Sequence, residues 1–422
     1  MKPKNKFQQR VFELSQKLPS ITKAQEKWAF QHCFEHIGRR TPKGVITCMD
    51  CGHRWTDTTT QKRCHCPNCN AKLLITDTRK RVFRDYQYFC IVTTCKGFQV
   101  LRFFFIRYYA KTGEKAYYFI SEVVQRWIAP NGQHTTIARL RPMSYYEDIW
   151  NFRSSLELRP ERSHHNIFTT CIYPRQKLIP EMKRSGYKGK CYGLTPFNLF
   201  HTLLTESRAE TLLKAGAISL LQFFTSRGFY DIHNYWSSIK ICLRNAYKIK
   251  DVSMWCDYID LLDFFDKDLH NAKYVCPADL KVEHDKYVKK KRQWQEKERN
   301  AEARRKVLED EAHFKEMKSK FFGLQFTDGL IEVRVLVSVK EIMQEGDVLH
   351  HCVFASDYHL KPDSLILSAC VNGKKVETIE FSLSKMQVIQ SRGACNKNTK
   401  YHERIIELVK KNRRKIRQRM AA

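Results

Sequence analysis

The sequence predicts an α+β protein of several domains, because three patterns follow one another along it. Two Cys-x-x-Cys pairs lie near the start, a run of aromatic and β-branched segments with turn signals follows, and segments of helical period then give way to a mixed pattern. A chain of 422 residues with 42% hydrophobic and 12% aromatic residues can bury several cores, which excludes a disordered chain. The composition divides into a helical segment at 1–43, a cysteine-rich module at 44–76 and a β-rich domain at 77–194. A helical domain at 195–276, a charged helix or linker at 277–320 and an α+β domain with a basic tail helix at 321–422 complete it.

Residues 7–38 read as helical, with Phe7, Val11, Leu14 and Leu18 at helical spacing and a second segment carrying Trp28, Phe30 and Phe34. Cys48/Cys51 and Cys66/Cys69 then stand fourteen residues apart, a spacing that suits a zinc ribbon. In such a module two tight knuckles present four thiolates to one structural Zn²⁺. Gly52 and Asn70 follow the second cysteine of each pair and Pro67 sits inside the second, so both knuckles have the residues that let the backbone turn towards sulfur. The other cysteines, Cys33, Cys90, Cys171 and Cys242 among them, lie among apolar neighbours as small core residues do, and no disulfide framework is predicted.

From about 82 to 142 the segments Tyr86–Thr94, Gln99–Ile106, Lys115–Ile120 and His134–Arg139 are separated by Lys-Gly, Thr-Gly-Glu and Asn-Gly signals. That pattern predicts an antiparallel meander covering the ribbon or packed beside it. Lys96 and Arg102 interrupt the most apolar stretch, Tyr88–Tyr109, and exclude a membrane span there. With no apolar signal core after Met-Lys-Pro-Lys-Asn-Lys, a reducing cytoplasm is expected.

Residues 195–270 return to a helical period through Leu199, Leu203, Leu212, Leu213, Leu220, Leu221 and Phe224, broken at Gly216. Two further helices follow at 236–247 and 251–265, the second with Asp251 as its N-cap. A small bundle accounts for these stripes better than a helix-turn-helix, because no recognition helix stands out. Residues 278–320 mix Lys, Arg and Glu at i,i+4 spacing, as in a solvated helix that serves as a phosphate-tracking arm or as a spacer. Beyond Phe321, Ile331–Val337 alternates as a strand and Ser338 caps a short helix to Glu345. Strands at 364–371 and 375–383 are joined by Asn372-Gly373, a third runs over 386–391, and an amphipathic helix with Ile405, Leu408, Val409 and Ile416 ends the chain. Alternation places Ile379, Phe381 and Leu383 on one face of the second strand, and Val376, Thr378 and Glu380 on the other.

Charge decides the class of partner. Seventy-five Lys and Arg against 44 acids leave a net charge of +31, whose field attracts polyanions, nucleic acid first. No lipidation signal or amphipathic anchor favours a membrane surface. The densest cluster is Lys410, Lys411, Arg413, Arg414, Lys415, Arg417 and Arg419, ten residues without an acid; Arg79, Lys80, Arg81 and Arg84 form a second. Trp55 and the aromatic meander offer rings for base stacking.

His351-Cys352-Val353, Tyr358, Ser364-Leu-Ile, Thr378-Ile-Glu380, Gln390-Ser-Arg392-Gly393 and Asn396, in that order, resemble the signature of the PcfJ-like family. Trp255-Cys-Asp-Tyr, Pro277-Ala-Asp-Leu and His284-Asp resemble the region before it. Those proteins are encoded by conjugative plasmids, integrative elements and phages of bacteria. The resemblance therefore implies a C-terminal α/β PcfJ-like domain, a mobile-element context and other mobile-element proteins as partners.

Three functions follow. A nucleic-acid-binding protein needs only the charge and the metal module. An enzyme acting on nucleic acid or a nucleotide would use His351, Cys352, Thr378, Glu380, Gln390, Arg392 and Asn396, with His350 or His351 and Glu380 as acid and base or as ligands of a divalent ion, and Arg392 facing phosphate. An interaction protein of a DNA-transfer apparatus is the third. Binding is the reading the whole chain supports.

Overall fold

The computed structural model describes residues 1–57, 61–142, 150–350 and 356–421, and the chain divides into two units, Met1–Tyr287 and Val288–Ala422. In the N-terminal unit, α1 (Lys6–Ser15) is capped by Asn5, whose side chain accepts the Gln8 N–H, and α2 (Lys23–His32) carries a Thr22/Gln25 capping box. Helix does not continue to residue 38 as the periodicity predicts. Ile37–Arg40 forms strand β1, in which a Cβ on Gly38 would lie 2.6 Å from Ile75 Cδ1, so this backbone is pressed against a neighbouring strand. The cysteine-rich module adds β2 (Val45–Cys48), β3 (Arg54–Thr56), β4 (Arg63–His65) and β5 (Lys72–Asp77) in the order β3-β2-β1-β5-β4. β1 pairs antiparallel with β2 and parallel with β5.

The meander forms as expected and its first three strands run longer: β6 (Val82–Cys95), β7 (Phe98–Lys111) and β8 (Tyr117–Ile128), followed by β9 (His134–Ala138). With β10 (Glu157–Arg159) and β11 (Cys171–Ile172) they make a sheet in the order β10-β9-β8-β7-β6-β11. Phe34 next to α2 and Met49 of the first knuckle pack with Phe89, Phe104, Ile106 and Tyr108 on one face. Arg102, the cation inside the apolar stretch, is buried and holds Glu122 at 2.6 Å.

Short helices follow: α3 (Pro180–Arg184), α4 (Pro196–Thr205), α5 (Ser207–Lys214), α6 (Ile218–Ser226), α7 (Ile232–Arg244), α8 (Val252–Phe264) and α9 (Ala272–Val275). Leu199, Leu212, Leu220, Leu221 and Phe224 are buried, and Asp251 caps α8 by accepting the Met254 N–H. The charged stretch is one helix, α10 (Leu280–Lys318), of 39 residues, about 58 Å at 1.5 Å per residue. The division between units falls within it.

The last turns of α10 are not a solvated strut. Phe314 joins Leu336, Val339, Ile342 and Ile366 in a buried cluster, and Lys318 is 1% exposed with its ammonium on the Lys361 and Pro362 carbonyls. Burial lowers the pKa of Lys318 to about 8. The sheet of this unit comprises β12 (Gln325–Thr327), β13 (Ile331–Val335), β14 (Ser364–Val371), β15 (Lys374–Ser382) and β16 (Gln387–Arg392) in chain order. Helix α11 (Val339–Leu349) outruns its expected end at Glu345, passing through a buried Gly346 to a left-handed His350. Asn372 and Gly373, at φ 48° and 73°, make the predicted β14–β15 turn. Helix α12 (His402–Ala421) closes the core face with Ile405, Leu408, Val409 and Ile416. No described helix is long and apolar enough to cross a membrane.

His165 is 3% exposed, and burial, aided by His164, Arg126, Arg141 and Arg159, lowers its pKa to about 3. The unfolded chain therefore takes up this proton first, and stability falls as pH drops from about 6.5 towards 3. Between pH 6.5 and 5 the loss should be about 1.6 kcal/mol. His165→Gln should flatten the decline in denaturant unfolding curves, and an unchanged pH slope would contradict the assignment.

Candidate metal centre and basic surfaces

Each cysteine knuckle turns on a left-handed residue. Gly52 has φ 79° and donates its N–H to the Cys48 carbonyl, and Asn70 has φ 60° and donates to that of Cys66. At Gly52 a side chain is also excluded by space, since a Cβ would sit 2.9 Å from the Gly113 backbone. The four sulfur atoms lie within 4.8 Å of one another, with Cys48 Sγ 3.8 Å from Cys69 Sγ and Cys51 Sγ 3.6 Å from Cys66 Sγ. A tetrahedral Zn–S bond of about 2.3 Å demands sulfur separations of about 3.8 Å. The cluster can hold one metal ion and its all-thiolate donor set is compatible with zinc. Burial raises the Cys48 thiol, opposed by the Cys51 and Asp50 N–H groups, and burial raises Cys69 to about 11. Trp55 stacks on His53 at 5.9 Å and packs beside the cysteines.

All seven cations between Lys410 and Arg419 are exposed, while Ile405, Leu408, Val409 and Ile416 are buried. The helix thus splits as its sequence predicts, apolar side inward and basic side to solvent. Lys411 pairs with Glu407 at 3.1 Å. Arg79, Lys80, Arg81 and Arg84 are exposed as well, with Lys80 over the Phe83 ring at 5.2 Å and Arg84 over Tyr109 at 5.5 Å.

In the C-terminal sheet, the pairings Thr378↔Arg392 and Glu380↔Gln390 place those four residues on one face. Glu380 accepts from Ser364 Oγ at 2.6 Å and from Gln390 Nε2 at 2.9 Å, and Gln390 also donates to Tyr358 Oη at 3.1 Å. Arg392 turns to Asn398 at 2.8 Å, and Asn396 lies exposed with φ 63°. His351 and Cys352 lie outside the described residues. Val376 does not share this face as the alternation predicts. A bulge, in which the pairing steps from Ala369↔Glu377 to Cys370↔Lys375, puts it against the core with Ile379 and Phe381.

Two fully buried carboxylates were not legible in the sequence. Glu345 of α11 meets Lys375 Nζ at 2.8 Å and accepts from Thr378 at 3.2 Å. Glu377 accepts from Ser391, from Thr399 N and Oγ1, and from His402. Burial would raise the Glu377 pKa, yet these hydrogen bonds together hold it below the usual carboxylate range. Lys375→Met strands the Glu345 charge and should cost about 2–3 kcal/mol in denaturant unfolding, less than for a fully buried pair because Lys375 is partly exposed. Adding Glu345→Gln should return most of that loss.

No curated protein and no solved structure matches the chain. A family model described as PcfJ-like protein matches residues 254–406. The match runs from α8 to the start of α12, and the four clustered cysteines and the cations at 410–419 lie outside it. Residues 254–406, bearing the motifs that carry the resemblance, are thus similar to the PcfJ-like family.

Proposed function

We propose that this chain is a zinc-containing nucleic-acid-binding protein of a bacterial mobile element. Its four-cysteine module is a structural zinc site, and its cationic helix face grips the phosphate backbone. The observation that carries this reading is the α12 surface, where seven exposed cations stand on a helix anchored by its opposite side. Such a face contacts phosphate without reading sequence, so affinity follows charge and salt. The hydrogen bonds from Ser364 and Gln390 to Glu380 favour a structural role for that carboxylate over acid–base chemistry.

Anisotropy titrations of labelled DNA and RNA across salt concentrations test the binding. Lys410→Gln, Arg413→Gln, Arg414→Gln and Arg417→Gln together should weaken binding at least about ten-fold and reduce the log–log salt slope by about 3–4. An unaltered slope would remove α12 from the interface. Native mass spectrometry should find one zinc ion per chain, lost in Cys48→Ser/Cys66→Ser. Metal-free wild-type protein with an undisturbed fold would end the zinc assignment.

A further inference from the structure

The meander buries both faces along most of its length, and its second face opens only towards the start of β6. On the first, Phe89, Phe104, Ile106 and Tyr108 are buried beneath α2 and the first knuckle. On the second, two cross-strand rows stand side by side, Arg84–Tyr109–Tyr117 and Tyr86–Arg107–Phe119. Tyr86 is 53% and Tyr117 60% exposed, and Arg84 and Arg107 are exposed too. The next row is closed, because Phe152 packs on Phe105 and Phe119 at ring distances of 5.4 and 5.0 Å, and Trp150 donates to Tyr88 Oη. Phe119 of the second open row is thus covered by Phe152, while Tyr86 and Tyr117 remain rings at the surface.

We infer that this face is a stacking platform for unpaired bases of a single-stranded polynucleotide, an inference resting on the nucleic-acid reading above. Rings and guanidinium groups alternate along and across β6 and β7, which supplies π faces for bases beside cations for phosphate. Arg84 sits over Tyr109 at 5.5 Å, and Tyr86 lies parallel to Phe105 at 5.5 Å, so two tyrosines are already held flat against neighbours. Arg79, Lys80 and Arg81 precede β6 at the end of the sheet where the open rows lie. An open depression of about 570 Å³ is lined here by Arg84, Asp85, Tyr86, Arg107, Tyr108 and Tyr109. Its one carboxylate, Asp85, accepts the Tyr86 N–H at 2.8 Å and alternates away from the open rows.

Spacing selects a single strand. Successive rows on a sheet are about 7 Å apart, two residues at about 3.4 Å each, whereas bases within a duplex strand repeat every 3.4 Å. Bases seated on both rows must be splayed from one another, which a paired duplex cannot do.

The full chain titrated with labelled dT20, rU20 and a 20-base-pair duplex gives the test. Tyr86→Ala/Tyr117→Ala should weaken dT20 and rU20 binding about ten- to a hundred-fold with the salt slope unchanged. Duplex affinity should stay the same, and Tyr86→Phe/Tyr117→Phe should bind as wild type. These rings are exposed, and near-ultraviolet circular dichroism checks that the fold is kept. Wild-type affinity of the alanine pair for both single strands would overturn the platform while leaving the backbone-binding reading intact. A wild-type chain that binds none of the three probes would overturn that reading itself, and the platform with it.

Discussion

The docking of the first cysteine knuckle onto the meander is the constraint on which the N-terminal unit depends. The cysteine module has strands of three to six residues and a buried cluster of Cys48, Cys66 and Leu73, too little to hold a fold by apolar burial alone. It is completed from outside. Met49 is fully buried against the meander core, and the Asp50 carboxylate accepts from Tyr108 at 3.3 Å, from Tyr118 at 3.4 Å and faces His36 at 2.7 Å. The Ala116 N–H adds a backbone bond to the Asp50 carbonyl. Tyr108 and Tyr118 pair across β7 and β8, so the same register that aims them at Asp50 aims Tyr109 and Tyr117 at solvent. A slip of one residue would exchange the two pairs, burying the open rings and stranding Asp50.

Local signals made much of this fold legible. The cysteine spacing, the left-handed residues after each pair, the Asn372-Gly373 turn and the Asp251 cap are short-range devices, and each stands where its residues predict. The failures share a different cause. Gly38 leaves the helical pattern because its backbone must lie under Ile75, a neighbour 37 residues away. The bulge at Val376 has no turn residue to announce it and depends on pairing with β14. Gly346, a poor helix residue, is tolerated because Leu349 beyond it is buried.

The candidate polar row shows the same limit. Thr378, Glu380, Gln390 and Arg392 were legible as neighbours because strand alternation fixes faces, yet their partners were not. Glu380 is held by Ser364 from the preceding strand, and Thr378 by Glu345 from a helix. Nothing in the sequence marks Glu345 and Glu377 as buried, since burial of a carboxylate is tolerable only with donors that tertiary structure brings. Thr399 and His402 reach Glu377 only after α12 has docked, which couples the start of the basic helix to the sheet core.

That coupling bears on why the basic face exists. Four like-charged pairs stand at i,i+4 along α12: Lys410/Arg414, Lys411/Lys415, Arg413/Arg417 and Lys415/Arg419. Each opposes the helix by about 0.2–0.5 kcal/mol, so together they cost about 1–2 kcal/mol. Part is offset by position, because Glu403 and Glu407 lie towards the N-terminal end and the cations towards the C-terminal end, as the helix dipole favours. A chain selected for stability alone would place acids between these cations, as α10 does with Arg305 and Glu309 at 3.4 Å. Helix α12 leaves the repulsion standing, and a polyphosphate laid along its outer face would relieve the repulsion while neutralising itself.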